Sequence, residues 1–199
     1  MGITGNATIG RPRLFDEEAV LADLTALFWR QGYGQTSMAD IVEASGVHKP
    51  SLYRSFGSKE QLFATVLRRY LAERMELFAG MIKEAGTGVR GVHKFLDLFE
   101  ADAVSERGRD GCLMVMASNE LRGSLSGYDF SADFRGAMRE QIGVLITQGL
   151  INGAPDLLLA RTDLLSTYLF GLQVIMRSGA DAAEIHRHIK AMHITVDDW

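Results

Sequence analysis

Apolar residues at helical spacing, cut by glycines at short intervals, constrain the first third of the chain more than any other feature. Val20, Leu24, Leu27 and Phe28 recur at i, i+4, i+7 and i+8, a single stripe of one α-helix. Asp16 offers it an N-cap, Glu17 and Glu18 suit its first turn, and Gly32-Tyr33-Gly34 stops it. Met38, Ile41 and Val42 lead a second, short helix to Ala44, and Ser45-Gly46-Val47 turns the chain. A third short helix is expected from about Lys49 to Ser55, with Pro50 in its first turn, where the missing N–H costs little, and Gly57 ends it. Ser58 and Gln61 then form a capping box that opens a helix of roughly 27 residues, closed by Gly86 and Gly88.

The same punctuation continues beyond Gly88. Helices are predicted at about 89–104, 112–121, 131–150, 157–177 and, behind a capping box of Asp181 and Glu184, from there to about Ala191. A Gly/Arg/Asp loop at 105–111, a Gly/Ser loop at 122–129 and Asn152-Gly153-Ala154-Pro155 separate them. No repeat and no strand pattern emerges, so the expected fold class is all-α.

Composition narrows the function classes. Of 199 residues, 47% are hydrophobic and 23% charged, a globular balance that excludes disorder. The single cysteine, Cys112, excludes an internal disulfide and a C-x-x-C redox pair and suits a reducing cytoplasm. The most apolar stretch, Leu164 to Met176, is too short to span a bilayer, and Met1 to Gly10 lacks the apolar core of an export signal. A net charge of -4 means that any nucleic-acid surface must be a local patch.

Such a patch exists. Between Ala44 and Arg69 there are five basic residues and one acid, whereas the rest of the chain holds 16 basic and 24 acidic residues. It coincides with two short helices joined by a three-residue turn at Gly46, with Ile41, Val47 and Leu52 placed to pack them together. That is the helix-turn-helix layout, whose second helix can enter a major groove. His48, Lys49, Ser51, Tyr53 and Arg54 fall on its polar face, Lys59 follows, and Thr36 and Ser37 sit at a helix N-terminus that can hold a phosphate.

Gly10-Arg11-Pro12-Arg13, the run from Gly32 to Val47, and His48-Lys49-Pro50-Ser51-Leu52-Tyr53-Arg54-Ser55-Phe56-Gly57-Ser58-Lys59-Glu60 resemble the DNA-binding domain of TetR (tetracycline-repressor-like) regulators over about residues 10–70. The resemblance implies an N-terminal three-helix helix-turn-helix domain (residues 1–57) and a C-terminal helical ligand-binding and dimerisation domain (58–199). Thr36, Ser37, Tyr53 and Lys59 would hold phosphates. Lys49, Ser51 and Arg54 would face bases or phosphates, and Arg11 and Arg13 would form an arm along the backbone or minor groove. Two positions depart from the pattern: Val42 stands where Ala is frequent, and His48 takes the usual small N-cap position.

In the second half, Phe78, Met81, Phe95, Phe99, Met114, Met116, Phe134, Met138, Tyr168 and Met176 are the expected lining of a pocket for a small apolar or aromatic effector. Leu164, Leu165, Tyr168, Leu169, Leu172 and Ile175, with Ile185, Ile189 and Met192, make the last two helices the expected homodimer interface. The implied partners are a double-stranded DNA operator, a small-molecule effector and a second copy of the chain, with no cofactor, no metal and no membrane. The expected function is a ligand-responsive repressor released from its operator by a small molecule. Two alternatives stand beside it: redox or electrophile sensing by Cys112, at a helix start with Arg107 and Arg109 near in sequence, or a ligand-binding protein whose DNA-reading helix is vestigial. No catalytic set emerges: Leu125 occupies the nucleophile position of Gly123-Ser124-Leu125-Ser126-Gly127, and Gly32-Tyr33-Gly34 lacks the third glycine of a dinucleotide loop.

Overall fold

The computed structural model describes residues 15–121, 125, 127, 129–149 and 154–199, and among them the chain forms nine α-helices and no extended strand. The basic arm with Arg11 and Arg13 and most of the 122–129 loop lie outside the described residues. Helix α1 (Glu17–Gln35) starts where the Asp16 carboxylate accepts the N–H groups of Glu18 and Ala19 at 3.0 and 3.3 Å. It breaks rather than ends at the expected glycine: Gly32 stands at φ 80°, ψ 171°, and residues 33–35 add one more turn.

Helices α2 (Met38–Ser45) and α3 (Lys49–Phe56) follow, joined through Gly46 in the left-handed region at φ 64°. Helix α4 (Lys59–Ala85) opens on the expected capping box: Ser58 Oγ accepts the Gln61 N–H, and Gln61 Oε1 accepts the Ser58 N–H at 2.8 Å. That box demands the preceding glycine. Gly57 has φ 77°, and a Cβ there would lie 1.9 Å from Gln61 Oε1. The first turns of α4 complete the core of α1–α3, with the Phe63 ring 4.6 Å from Phe28 and 4.9 Å from Tyr33.

The remaining helices are α5 (Gly88–Ala103), α6 (Leu113–Glu120), α7 (Phe130–Gly149), α8 (Pro155–Arg177) and α9 (Ala182–Asp197). Helix α5 is central, packed against α4, α7 and α9, while α8 lies on α7 and α6. Helix α9 runs six residues past the predicted end, because Val196 continues the buried stripe of Ile185, Ile189 and Met192. Its expected capping box is only half made. Asp181 accepts the Glu184 N–H at 2.8 Å, but the Glu184 carboxylate turns to His188 and Arg187 at 3.9 and 4.0 Å.

The stripe of α9 is buried within its own chain against α5, not left for a partner. His93 and His193, a hundred residues apart, seal that packing with stacked rings and an Nδ1–Nδ1 distance of 2.6 Å. On α8, Leu165, Leu169 and Leu172 also turn inward. What α8 leaves outside is a different stripe: Leu157, Ala160, Leu164, Thr167, Gly171 and Val174, uncharged and exposed, at alternating steps of three and four. That is the spacing of a helix–helix seam.

Candidate nucleic-acid interface and interior cavity

Ile41, Val47 and Leu52 are buried, and they clamp α2 against α3 as their spacing predicts. With Leu52 inward, the opposite side of α3 is set by helical geometry. His48, Lys49, Tyr53 and Arg54 are exposed and Ser51 is half-buried. Lys49 Nζ lies 5.8 Å from the Tyr53 ring, one turn on, so the ammonium and the phenol form one stripe. None of Lys49, Tyr53 and Arg54 has a hydrogen bond or ion pair among the described residues. Their donors face water, and α3 carries no acid. His48 occupies the N-cap with no side-chain hydrogen bond, so its ring is free at the start of α3.

The start of α2 departs from expectation. Ser37 is the exposed N-cap, and its Oγ accepts the Asp40 N–H while the Asp40 carboxylate accepts the Ser37 N–H at 2.7 Å. Those bonds, the backbone one first, hold the Asp40 carboxyl below its ordinary range. A phosphate at this terminus shares the N–H groups with a carboxylate. Thr36 is buried, and its hydroxyl donates to the Gly32 carbonyl and accepts from Gln31, so its side chain secures the break in α1 instead of holding phosphate.

Lys59 is also drawn inward. Its Nζ donates to the Tyr33 carbonyl at 2.7 Å and lies 4.2 Å from the Tyr33 ring, pinning the start of α4 to the end of α1. The sequence placed Lys59 with the phosphate contacts; the structure gives its ammonium a partner in the chain.

Comparison with known proteins agrees with this geometry. Residues 20–66, α1 through the start of α4, match the family described as bacterial regulatory proteins, tetR family. The HTH-type transcriptional repressor ComR of Escherichia coli (strain K12) is 52% identical over 62 residues, 31% of this chain and 30% of its own length. The HTH-type transcriptional repressor BdcR of the same organism is 35% identical over 75 residues, 38% of each chain. The matches thus span less than half the length of these curated relatives. Solved structures extend the likeness. A cysteine mutant of the TetR family transcriptional regulator CifR, complexed with 26 bp double-strand operator DNA, superposes with a TM-score of 0.76 at 29% identity, covering 91% of this chain and 99% of its own. A TetR transcriptional regulator from Chloroflexus aurantiacus gives 0.75 at 25% identity over 90% of this chain and 93% of its own.

Residues 20–66 carry the TetR-family pattern, and the chain as a whole shares the fold of solved TetR-family regulators.

The second half of the chain holds a small interior cavity. Phe78, Phe99, Phe134, Met138 and Cys112 meet there, joined by Arg74, Leu169, Phe170 and Gln173. The space is about 10 Å³, room for about one water molecule, so the rings must part to admit anything larger. The other expected lining residues lie elsewhere. Met81, Phe95 and Met176 are packed in the core. Met114 lines a second small space beside Leu67 and Phe130, and Met116 an outer cleft beside Gln173 and Arg177. The Tyr168 hydroxyl is buried without a hydrogen-bond partner, and burial, with the charge of Glu100, pushes its pKa up to about 12.

The sequence missed Arg74 and Gln173. The signal for Arg74 was present: it stands one turn from both Tyr70 and Phe78, a charge on an apolar stripe. Arg74 donates to Asp102 Oδ2 at 2.9 Å. Cys112, the N-cap of α6, is buried under the Tyr70 hydroxyl, which lies 3.5 Å from Sγ and accepts the Leu113 N–H at 3.3 Å. Burial, then the nearby thiol, raises the Tyr70 pKa well above its ordinary value. Arg107 and Arg109, neighbours of Cys112 in sequence, are exposed, and the cation beside the thiol is Arg74. Among the described residues no group of three or more His, Cys, Asp or Glu is arranged to hold a metal ion, and no helix is long and apolar enough to cross a membrane.

Helix α6 joins the two halves. Its first end, at Cys112, lines the cavity. At its last residue the Glu120 carboxylate accepts the N–H groups of Tyr33 and Gly34 at 2.7 and 3.1 Å. A Cβ on Gly32 would lie 2.0 Å from Glu120 Oε1, so the break in α1 is shaped to receive this carboxylate.

Proposed function

We propose that the chain is a homodimeric repressor that reads operator DNA with α3 and releases it when a small apolar molecule enters the cavity. The DNA-reading unit is residues 1–57, and the effector and dimer unit is 58–199. The observation that carries the proposal is the face of α3: Lys49, Tyr53 and Arg54 are exposed and uncommitted on a helix whose other side is fixed by Leu52. His48 and Ser51 flank them, Ser37 offers a hydroxyl at the start of α2, and Arg11 and Arg13 supply the arm. The partner is the DNA of the cytoplasm.

The exposed seam on α8 supports pairing with a second copy. Leu157 and Leu164 are each about half exposed, so covering the remainder is worth about half of the ~1.5–3 kcal/mol of a fully exposed leucine. Coupling runs through α6. An effector that parts the rings around Phe78 and Phe99 displaces Cys112, α6 carries the shift to Glu120, and Glu120 moves the end of α1 on which α2 and α3 rest. Binding then favours a dimer whose two α3 helices no longer match their half-sites, a population shift.

A salt titration on duplex DNA tests this. With about five or six phosphates neutralised per subunit, log K falls steeply with log salt, ~0.9 per contact. Absence of binding at low salt contradicts the proposal and favours a vestigial reading helix.

A further inference from the structure

Between α1, α4 and the connection from α5 to α6 lies an open cleft of about 550 Å³, far larger than the interior cavity. The two meet at Arg74, which lines both. Three arginines line the cleft, and one of them, Arg107, is left without an acid among the described residues. Arg69 is committed to Glu18 and Glu73, each at 2.9 Å. Arg74 is held by Asp102 through a single N–H···O bond, although a guanidinium carries five donors and pairs best with a carboxylate through two. Arg107, on the rim, is exposed and has no ion pair among the described residues.

The wall beside these cations is apolar. Leu77 is exposed there although it is a large hydrophobe, and the indole of Trp29 stands edge-on to Tyr70, 5.2 Å away. The Trp29 Nε1–H is buried with no hydrogen-bond partner, so the indole meets the cleft with its apolar ring rather than with its donor. An inorganic anion leaves this apolar wall unused. A neutral apolar molecule leaves Arg107 unused. A molecule with one carboxylate and an apolar body uses both.

We infer that this cleft binds an amphipathic monocarboxylate, held by Arg107 and Arg74 at its charged end and by Trp29 and Leu77 along its apolar body. The carboxylate takes Arg74 from Asp102, and the loosened Arg74 opens the way to Phe78 and Phe99. The inference rests on the effector reading above and narrows its effector to an apolar molecule that carries one carboxylate, seated in the cleft on the way to the cavity.

Octanoate is the probe and 1-octanol the neutral control, added to the full chain carrying Trp199→Phe so that Trp29 is the only indole. Octanoate gives a saturable change in Trp29 emission, and its Kd weakens tenfold or more in Arg107→Gln and in Arg74→Gln. Octanol gives no such change. Arg107 is exposed, so its variant folds even if Arg74→Gln does not, and Arg74→Gln/Asp102→Asn removes the pair together. Equal binding of octanol, unchanged binding by Arg107→Gln, or no saturable response overturns the site. Duplex binding measured on the same samples separates the two readings. Intact duplex binding with no octanoate response removes the site alone. Saturable octanoate binding that leaves the duplex complex undisturbed supports the site and removes the effector reading.

Discussion

The cations of α3 and the cation at the cavity belong to opposite physical regimes. Lys49 and Arg54 are exposed and unpaired, on a helix without acids. Arg74 is largely buried and tied to Asp102, its side chain 13% exposed and that of Asp102 18%. An exposed charge costs the fold nothing when idle and is available to a polyanion from outside. A buried charge must be paired, and removing its partner exacts a desolvation penalty. The α3 charges are left to solvent, whereas the charge at the cavity has its partner in Asp102.

The largest effect expected from breaking this contrast is at Asp102. Asp102→Ala leaves Arg74 unpaired and destabilises the fold by about 2–4 kcal/mol, below the full cost for a completely buried pair because both side chains keep some exposure. The double variant Arg74→Met/Asp102→Leu recovers most of the loss, read as the denaturant midpoint. No recovery would show that the pair holds the fold through more than its charge.

Gly32→Ala comes next. It forces a side chain into φ 80° and against the Glu120 carboxylate, at about 1–3 kcal/mol. It also weakens duplex binding more than any loss of stability explains, because the tie between α6 and α1 is lost. Comparing Tm with duplex affinity separates the two effects.

Two lysines sharpen the comparison further. Lys49→Ala lowers the salt slope of duplex binding by about one while leaving stability within about 0.5 kcal/mol. Lys59→Ala costs about 1 kcal/mol of stability through its bond to the Tyr33 carbonyl. Equal behaviour of the two would contradict the inward role of Lys59.

The smallest effect is at Asp40, whose carboxyl is held low chiefly by the Ser37 backbone N–H. The stability it lends is complete above the ordinary carboxylate pKa and is lost as pH falls through its lowered value. Asp40→Asn therefore flattens the acid limb of the stability profile below about pH 4 and changes little at neutral pH.

The first half of the chain was legible because its signals are local. Gly46, Pro50, Gly57 and the Ser58–Gln61 box each act within a few residues, and the structure places all of them as predicted. Thr36 and Lys59 have partners inside the chain that their place at helix starts does not announce: the Thr36 hydroxyl turns back to the Gly32 carbonyl, and Lys59 reaches the Tyr33 carbonyl 26 residues away. In the second half, apolar periodicity located the helices but not which face meets which. Ile185, Ile189 and Met192 could serve a partner or the chain's own α5, and only tertiary packing decides. Arg74 and Asp102, and likewise Gly32 and Glu120, are distant in sequence, and no local pattern joins them.

Selection of duplexes from a random library by the full chain tests the central claim most directly. The account predicts enriched sites with two inverted half-sites centred about 34–36 Å apart or a multiple of it, and Arg54→Ala relaxes the preference within each half. Enrichment of no sequence, or of a single unrepeated site indifferent to Arg54→Ala, would contradict it.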